Sequence, residues 1–308
     1  MSVPALDAST VIEPIRQLAQ AGGAGVLCVI CGVDGPSYRP LGAMMAVLED
    51  GTRIGTLSSG CVESDIGLHA LQALQEGALR SLRYGKGSPF GDIVLPCGGG
   101  LDIVLVPRPD PDVLQALLHA HSARAAVALE IDPRSGGLRS LPARDTGWEG
   151  DVFCVGIEPE IRFLIFGKGP ETASFAGLVQ AAGYPNLVLS PDEETLAALR
   201  AVGCAGRHLT HAHYPEGLAA DSRTAVVLFF HDHDWEPPIA SGALATPAFY
   251  VGAQGSQRAA AMRRIALVEM GVAAPELARL KGPIGLVPSA RDARMLAVSV
   301  LAEVLSEA

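Results

Sequence analysis

Apolar positions recur at helical spacing over residues 11–20, and again from about 64 to 76, so both stretches are expected as helices. Between them the pattern turns strand-like. Residues 26–33 form a nearly unbroken apolar run. Residues 43–48 and 52–56 read as two short strands, and Glu49-Asp50-Gly51 between them suits a tight hairpin turn. Residues 92–95 and 101–106 are further apolar runs, separated by Pro96-Cys97-Gly98-Gly99-Gly100.

Three prolines within Pro107-Arg108-Pro109-Asp110-Pro111 stop this pattern and mark a boundary. A helix and two strands, 125–131 and 151–157, then form a bridging section that ends at Glu158-Pro159-Glu160. From Ile161 onward strands and helices alternate, with strands expected at 162–166, 186–189, 225–230, 249–251 and 284–287. Such alternation predicts a parallel, doubly wound sheet with right-handed crossovers. The expected class is therefore α/β. An N-terminal mixed α/β domain covers 1–107, a bridging segment 108–160, and a Rossmann-like doubly wound domain 161–308.

Composition narrows the function. Hydrophobic residues make up 49% of the 308 and charged residues 18%, enough apolar material for two cores. No stretch approaches the roughly 20 uninterrupted apolar residues of a membrane span. The first twenty residues carry Asp7, Glu13 and Arg16 and lack a basic start followed by an apolar run, so a cytoplasmic location is expected. A net charge of −10 argues against nucleic-acid binding. It leaves open a local anion site, because backbone N–H groups can build one without net positive charge.

The six cysteines do not resemble a disulfide framework in a chain of this kind. Cys28 and Cys31 make a C-x-x-C inside the first apolar strand, where residues three apart face opposite ways, so the pair is read as core and no metal site is assigned. Cys61 is different. It follows the strand 52–56 in the loop Ser58-Ser59-Gly60-Cys61-Val62 and stands just before a helix, whose N-terminal N–H groups favour a thiolate. Glu63 is placed either to accept a proton or to complement the helix dipole. Cys97 precedes Gly98-Gly99-Gly100, which can bring backbone close to a ligand and present successive N–H groups to an anion. The bland readings are a packed small residue for Cys61 and a tight strand connection at Cys97.

In the C-terminal half, the strand 163–166 runs into Gly167-Lys168-Gly169-Pro170-Glu171-Thr172, two glycines of a dinucleotide-binding fingerprint with Thr172 in place of the third. Ser190 stands where an acidic residue would hold ribose hydroxyls, with Asp192 two residues on. His231-Asp232-His233 follows an apolar strand at what should be the ligand-binding edge of the sheet. Gly255-Ser256 opens a helix and is a further candidate anion cradle.

Taken together, the segment from Gly35 to Met45 (with Arg39-Pro40 and Gly42-Ala43-Met44), Ser59-Gly60-Cys61-Val62-Glu63, Cys97-Gly98-Gly99-Gly100, His231-Asp232-His233, Phe249 to Ser256 and Gly282-Pro283-Ile284-Gly285-Leu286 resemble the XdhC/CoxI family. The likeness covers nearly the whole chain. It implies an accessory factor that binds molybdenum cofactor (molybdopterin), supports its sulfuration and inserts it into a molybdenum hydroxylase such as xanthine dehydrogenase. A cysteine desulfurase is expected as a further partner, and the chain is expected to form a homodimer. Cys61 and Cys97 would then face the cofactor, and Arg39, Arg53 or Lys86 would meet its phosphate. The family pattern is altered at Lys168, Pro170 and Val287-Pro288-Ser289-Ala290, which sets NAD binding behind molybdopterin and keeps two rivals open: an NAD-dependent oxidoreductase and a non-catalytic scaffold.

Overall fold

Among the described residues, twelve elements precede Glu160: α1 (Ile12–Gln20), β1 (Gly25–Asp34), β2 (Met44–Leu48), β3 (Arg53–Gly55), α2 (Glu63–Glu76), β4 (Arg80–Gly85), β5 (Gly100–Pro107), α3 (Pro111–Ser122), β6 (Val127–Ile131), β7 (Leu138–Pro142), β8 (Gly147–Glu149) and β9 (Val152–Ile157). The computed structural model describes residues 11–58, 60, 62–88, 95, 98–230 and 234–308. The chain divides into two units between Pro159 and Glu160.

In the first unit, β1 is the middle strand of a five-stranded sheet ordered β3-β2-β1-β5-β4, antiparallel throughout. Both of its faces are buried, which explains the apolar run in β1. One face carries Val26, Cys28 and Ile30 into a cluster with Ile66 and Ala70 of α2. The other carries Leu27 and Val29 into a cluster with α1, α3 and a second sheet, ordered β7-β6-β9-β8. Leu114 and Leu117 of α3, Leu129 and Ile131 of β6, and Phe153 and Val155 of β9 thus supply one layer of the first unit's core. Asp110 caps α3 by accepting from the Asp112 N–H, and Pro111 occupies its first turn.

The second unit contains β10 (Arg162–Gly167), α4 (Pro170–Ala181), β11 (Asn186–Ser190), α5 (Glu193–Ala201), β12 (Gly206–His208), β13 (Thr224–Phe229), α6 (Glu236–Leu244), β14 (Tyr250–Ala253), α7 (Gln257–Glu269), α8 (Ala274–Ala278), β15 (Leu280–Lys281) and α9 (Ala293–Ser306). Its sheet is parallel and ordered β12-β11-β10-β13-β14-β15, the doubly wound order that reverses between β10 and β13. Phe163, Ile165, Val227 and Phe229 face α4 and α9, and Leu164, Phe166, Val226 and Leu228 face α6.

Two expectations are corrected. The sixth parallel strand is Leu280–Lys281, not 284–287. Ile284 to Val287 is instead a loop pinned by α9: Val287 N–H donates to Ser299 Oγ at 2.7 Å, and Gly285 N–H donates to Glu303. The edge strand β4 is an addition to the expected set, and it pairs along β5 from Arg80–Leu105 to Gly85–Gly100.

Candidate functional site

Strand register brings the loops of interest to one end of the five-stranded sheet. Asp34 at the end of β1 pairs with Gly100 at the start of β5, and Gly100 pairs with Gly85 at the end of β4. Met45 of β2 pairs with Gly55 at the end of β3. The 35–43, 56–62 and 86–99 connections therefore all leave this end. Cys61, Cys97, His231, Asp232 and His233 lie outside the described residues. Their neighbours in the first unit do not: Leu57 and Val62 beside Cys61, and Leu95 and Leu101 beside Cys97, belong to one buried cluster over α2.

Glu63 organises the 56–62 loop. Its carboxylate accepts from the hydroxyls of Thr56 (2.5 Å) and Ser58 (2.6 Å). It also accepts from the backbone N–H of Leu57 (3.0 Å), Ser58 (2.7 Å), Gly60 (2.9 Å) and Val62 (3.2 Å). Burial by itself would raise its pKa, but the Ser58 and Thr56 hydroxyls and the backbone donors outweigh that and hold it down to about 2. A carboxylate so stabilised is a poor proton acceptor near neutrality. Its position also means that the N–H groups of Leu57, Ser58, Gly60 and Val62 already serve an internal anion.

The three glycines after Cys97 are not alike. A Cβ on Gly99 would lie 2.1 Å from the Pro36 carbonyl oxygen, and one on Gly100 2.6 Å from an Arg83 guanidinium nitrogen. Their close approaches are thus to the protein itself. Gly98 has φ of +72° with open space where a Cβ would be, and its N–H donates to Leu95 O at 2.8 Å.

Beside this turn, the 35–41 loop borders an open groove of about 680 Å³, walled by Cys31, Tyr38, Arg39 and Trp148. Arg39 is half-buried, and its Nε is buried with no hydrogen-bond partner. The other proposed phosphate partners are engaged: Arg53 donates to Ser64 Oγ at 2.9 Å, and Lys86 stands 3.4 Å from Asp34. Trp148 is held by its indole N–H, which donates to Cys31 O at 2.8 Å. Cys28 is fully buried, in keeping with a core role. Cys31 sits where the β1–β5 register shifts, lines the groove, and has its thiol pushed up to about 11 by burial and then by the Asp102 charge.

The Rossmann unit presents its first βα loop in altered form. A Cβ on Gly167 would clash with Thr172 Oγ1 at 2.5 Å and Phe229 at 2.8 Å, so this first glycine is required by close packing against the protein itself. Gly169 takes a φ of +83° as the N-cap of α4, but its N–H donates to Thr195 Oγ1 at 2.8 Å. Asp192 accepts from Thr195 N–H at 2.8 Å and from its hydroxyl, capping α5. The Gly169 N–H is therefore spent on the protein itself, and the Asp192 carboxylate is occupied as a helix cap. Ser256 likewise caps α7, accepting from Ala259 N–H at 3.1 Å, with Gly255 at φ +136° before it. Sequence reasoning missed a buried ion pair at this edge: Arg263 Nε lies 2.8 Å from Glu236 Oε2, and its Nη2 donates to Glu236 Oε1 at 3.0 Å and to Gln254 O at 2.6 Å.

These features define a two-unit protein, an antiparallel-sheet unit with glycine loops at one end followed by a doubly wound nucleotide-type unit. Residues 163–304 match the family described as the XdhC Rossmann domain, and residues 18–85 match the XdhC and CoxI family. The chain belongs to the XdhC/CoxI family. It is 36% identical over 303 residues to the molybdenum cofactor insertion chaperone PaoD of Escherichia coli strain K12, covering 97% of this chain and 88% of the relative. It is 24% identical to a probable xanthine dehydrogenase subunit of Bacillus subtilis strain 168, covering 91% and 92%. A crystal structure of a xanthine dehydrogenase from Bacillus halodurans shares the fold, with a TM-score of 0.76 at 22% identity over 97% of this chain and 95% of that one. No described helix is long and apolar enough to cross a membrane.

Proposed function

We propose that this chain is a molybdenum-cofactor-binding maturation factor that holds the cofactor, supports its sulfuration and delivers it to a molybdenum hydroxylase of the xanthine dehydrogenase kind. Arg39 carries the reading. A buried guanidinium nitrogen without a partner is costly unless a ligand completes it, and Arg39 lines a groove of about 680 Å³. That volume is within the roughly 300–1,000 Å³ of small-molecule sites. The terminal phosphate of molybdopterin fits the guanidinium, and the exposed rings of Tyr38 and Trp148 fit a flat pterin.

The residues divide their work. Cys61 and Cys97 supply soft thiolates for the metal end. Gly60 and Gly98 are exposed and keep the backbone open to a ligand, whereas Gly99 and Gly100 seat the turn against its neighbours. Glu63 is a positioning residue for the Cys61 loop. When bound, the cofactor brings a dithiolene-held molybdenum and an anionic phosphate; the chain's part is to hold and shield them. A cysteine desulfurase is the proposed sulfur source. Gly167 and Gly169 form a nucleotide-type loop closed by Thr195, so NAD is not assigned; His231, Asp232 and His233, which follow β13 in the sequence, are proposed with Gly255 and Ser256 as candidate ligand contacts.

The test is co-purification from a host that makes molybdopterin, followed by conversion of the bound pterin to its fluorescent oxidation product. Wild type is expected to retain it through gel filtration. Arg39→Ala and the double variant Cys61→Ala/Cys97→Ala should each lose at least about tenfold, the effect of one charge-assisted contact. Retention undiminished in both would overturn the assignment. Calorimetry with NAD should show no binding, and tight binding would restore the oxidoreductase reading.

A further inference from the structure

The outer face of α7 is unpartnered and apolar. Met262, Ile265 and Val268 are 53%, 54% and 60% exposed, and Ala261 beside them is exposed as well. At about 100° per residue these positions and the exposed Arg258 and Glu269 share one stripe of the helix. The spacing of Arg258, Met262, Ile265 and Glu269 is four, three, four, the repeat of a coiled-coil seam. Among the described residues the side chains of Arg258 and Glu269 make no ion pair or hydrogen bond.

We propose that this face is where a second copy of the chain docks, with the two α7 helices packed antiparallel about a two-fold axis. The charges select that partner and that orientation. A two-fold axis midway between Met262 and Ile265 sets Met262 of each helix against Ile265 of the other. The same axis sets Arg258 of each helix at the level of Glu269 of the other, because each stands equally far from the centre. One apolar layer is thus closed at both ends by two equivalent opposite-charge pairs. A parallel pair would instead put Arg258 against Arg258 and Glu269 against Glu269, and like charges so placed repel. A self-complementary patch of this kind is what an isologous two-fold interface requires.

Sedimentation velocity of the full chain, over a concentration series rising from low micromolar, is expected to show reversible dimerisation. Ile265→Glu should weaken it at least about thirtyfold, since two central apolar contacts are lost per dimer. Because Ile265 is exposed in the monomer, the variant should keep the wild-type circular dichroism and melting temperature. Arg258→Glu and Glu269→Arg should each weaken the dimer by about tenfold, and the double swap should recover it to within about threefold. A wild type that stays monomeric overturns the proposal, as does a dimer indifferent to Ile265→Glu or a double swap that recovers nothing. A monomer that loses binding of a recipient enzyme on Ile265→Glu would give the face to that enzyme instead and also overturn it. These readouts need no cofactor, so failure here is distinguishable from failure of the cofactor assignment.

Discussion

Glu63 and Arg39 stand at opposite extremes of hydrogen bonding. Glu63 collects two hydroxyls and four backbone N–H groups, whereas Arg39 leaves a buried Nε with none. Glu63→Gln presents an amide N–H₂ to donors that need an acceptor, and is expected to cost about 2–4 kcal/mol in urea unfolding. The carboxylate's folded pKa of about 2 lies below its ordinary 4.5. Its contribution is therefore fully present above about pH 4.5 and is lost as pH falls toward 2. Unfolding midpoints measured between pH 6 and pH 3 should fall more steeply in wild type than in Glu63→Gln. Arg39→Ala should behave differently again, with stability within about 0.5 kcal/mol of wild type. The candidate charges are legible in the sequence as residue types. Which one lacks a partner is not, because that depends on Ser64 and Asp34 reaching Arg53 and Lys86.

At the scale of elements, the run of three glycines is visible in the sequence, but its division of labour is not. Gly99→Ala would drive a Cβ to 2.1 Å from backbone, so it is expected to cost about 3 kcal/mol or more. Gly98→Ala meets open space and only the strain of φ +72°, a cost of about 1 kcal/mol. Chemical denaturation of the two variants checks the contrast. Thr195→Val should cost about 1–2 kcal/mol by leaving the Gly169 N–H without its acceptor, and should not create NAD affinity, as calorimetry would show. The edge strand β4 does carry a readable signal, with Leu82 and Tyr84 buried at alternate positions. Arg80 and Arg83 obscure it by breaking the apolar pattern; Arg83 is spent on Asp102 at 2.7 Å. The last parallel strand is hard to place from pattern because Ile284 is buried without being in the sheet. α9 holds that loop through Ser299 and Glu303.

For the whole molecule, the two units have separate cores: the clusters around β1 draw on residues before Glu160, and those around β10 on residues after it. A fragment of residues 160–308 is accordingly expected to fold alone with a cooperative thermal transition by circular dichroism. The sequence by itself determined the α/β class, the doubly wound second half and the family, because periodicity and local glycine and proline chemistry act over a few residues. It also marked Arg39, Glu63 and the glycine loops as candidate chemistry. Only the tertiary structure decided that Leu114, Leu117, Leu129 and Phe153 meet Leu27 and Val29 of β1 in one cluster. It likewise decided that Thr195 closes the nucleotide loop, and that α7 keeps an apolar face in water. Each of these depends on contacts between residues distant in the chain, where strand register and packing, not local pattern, set what meets what.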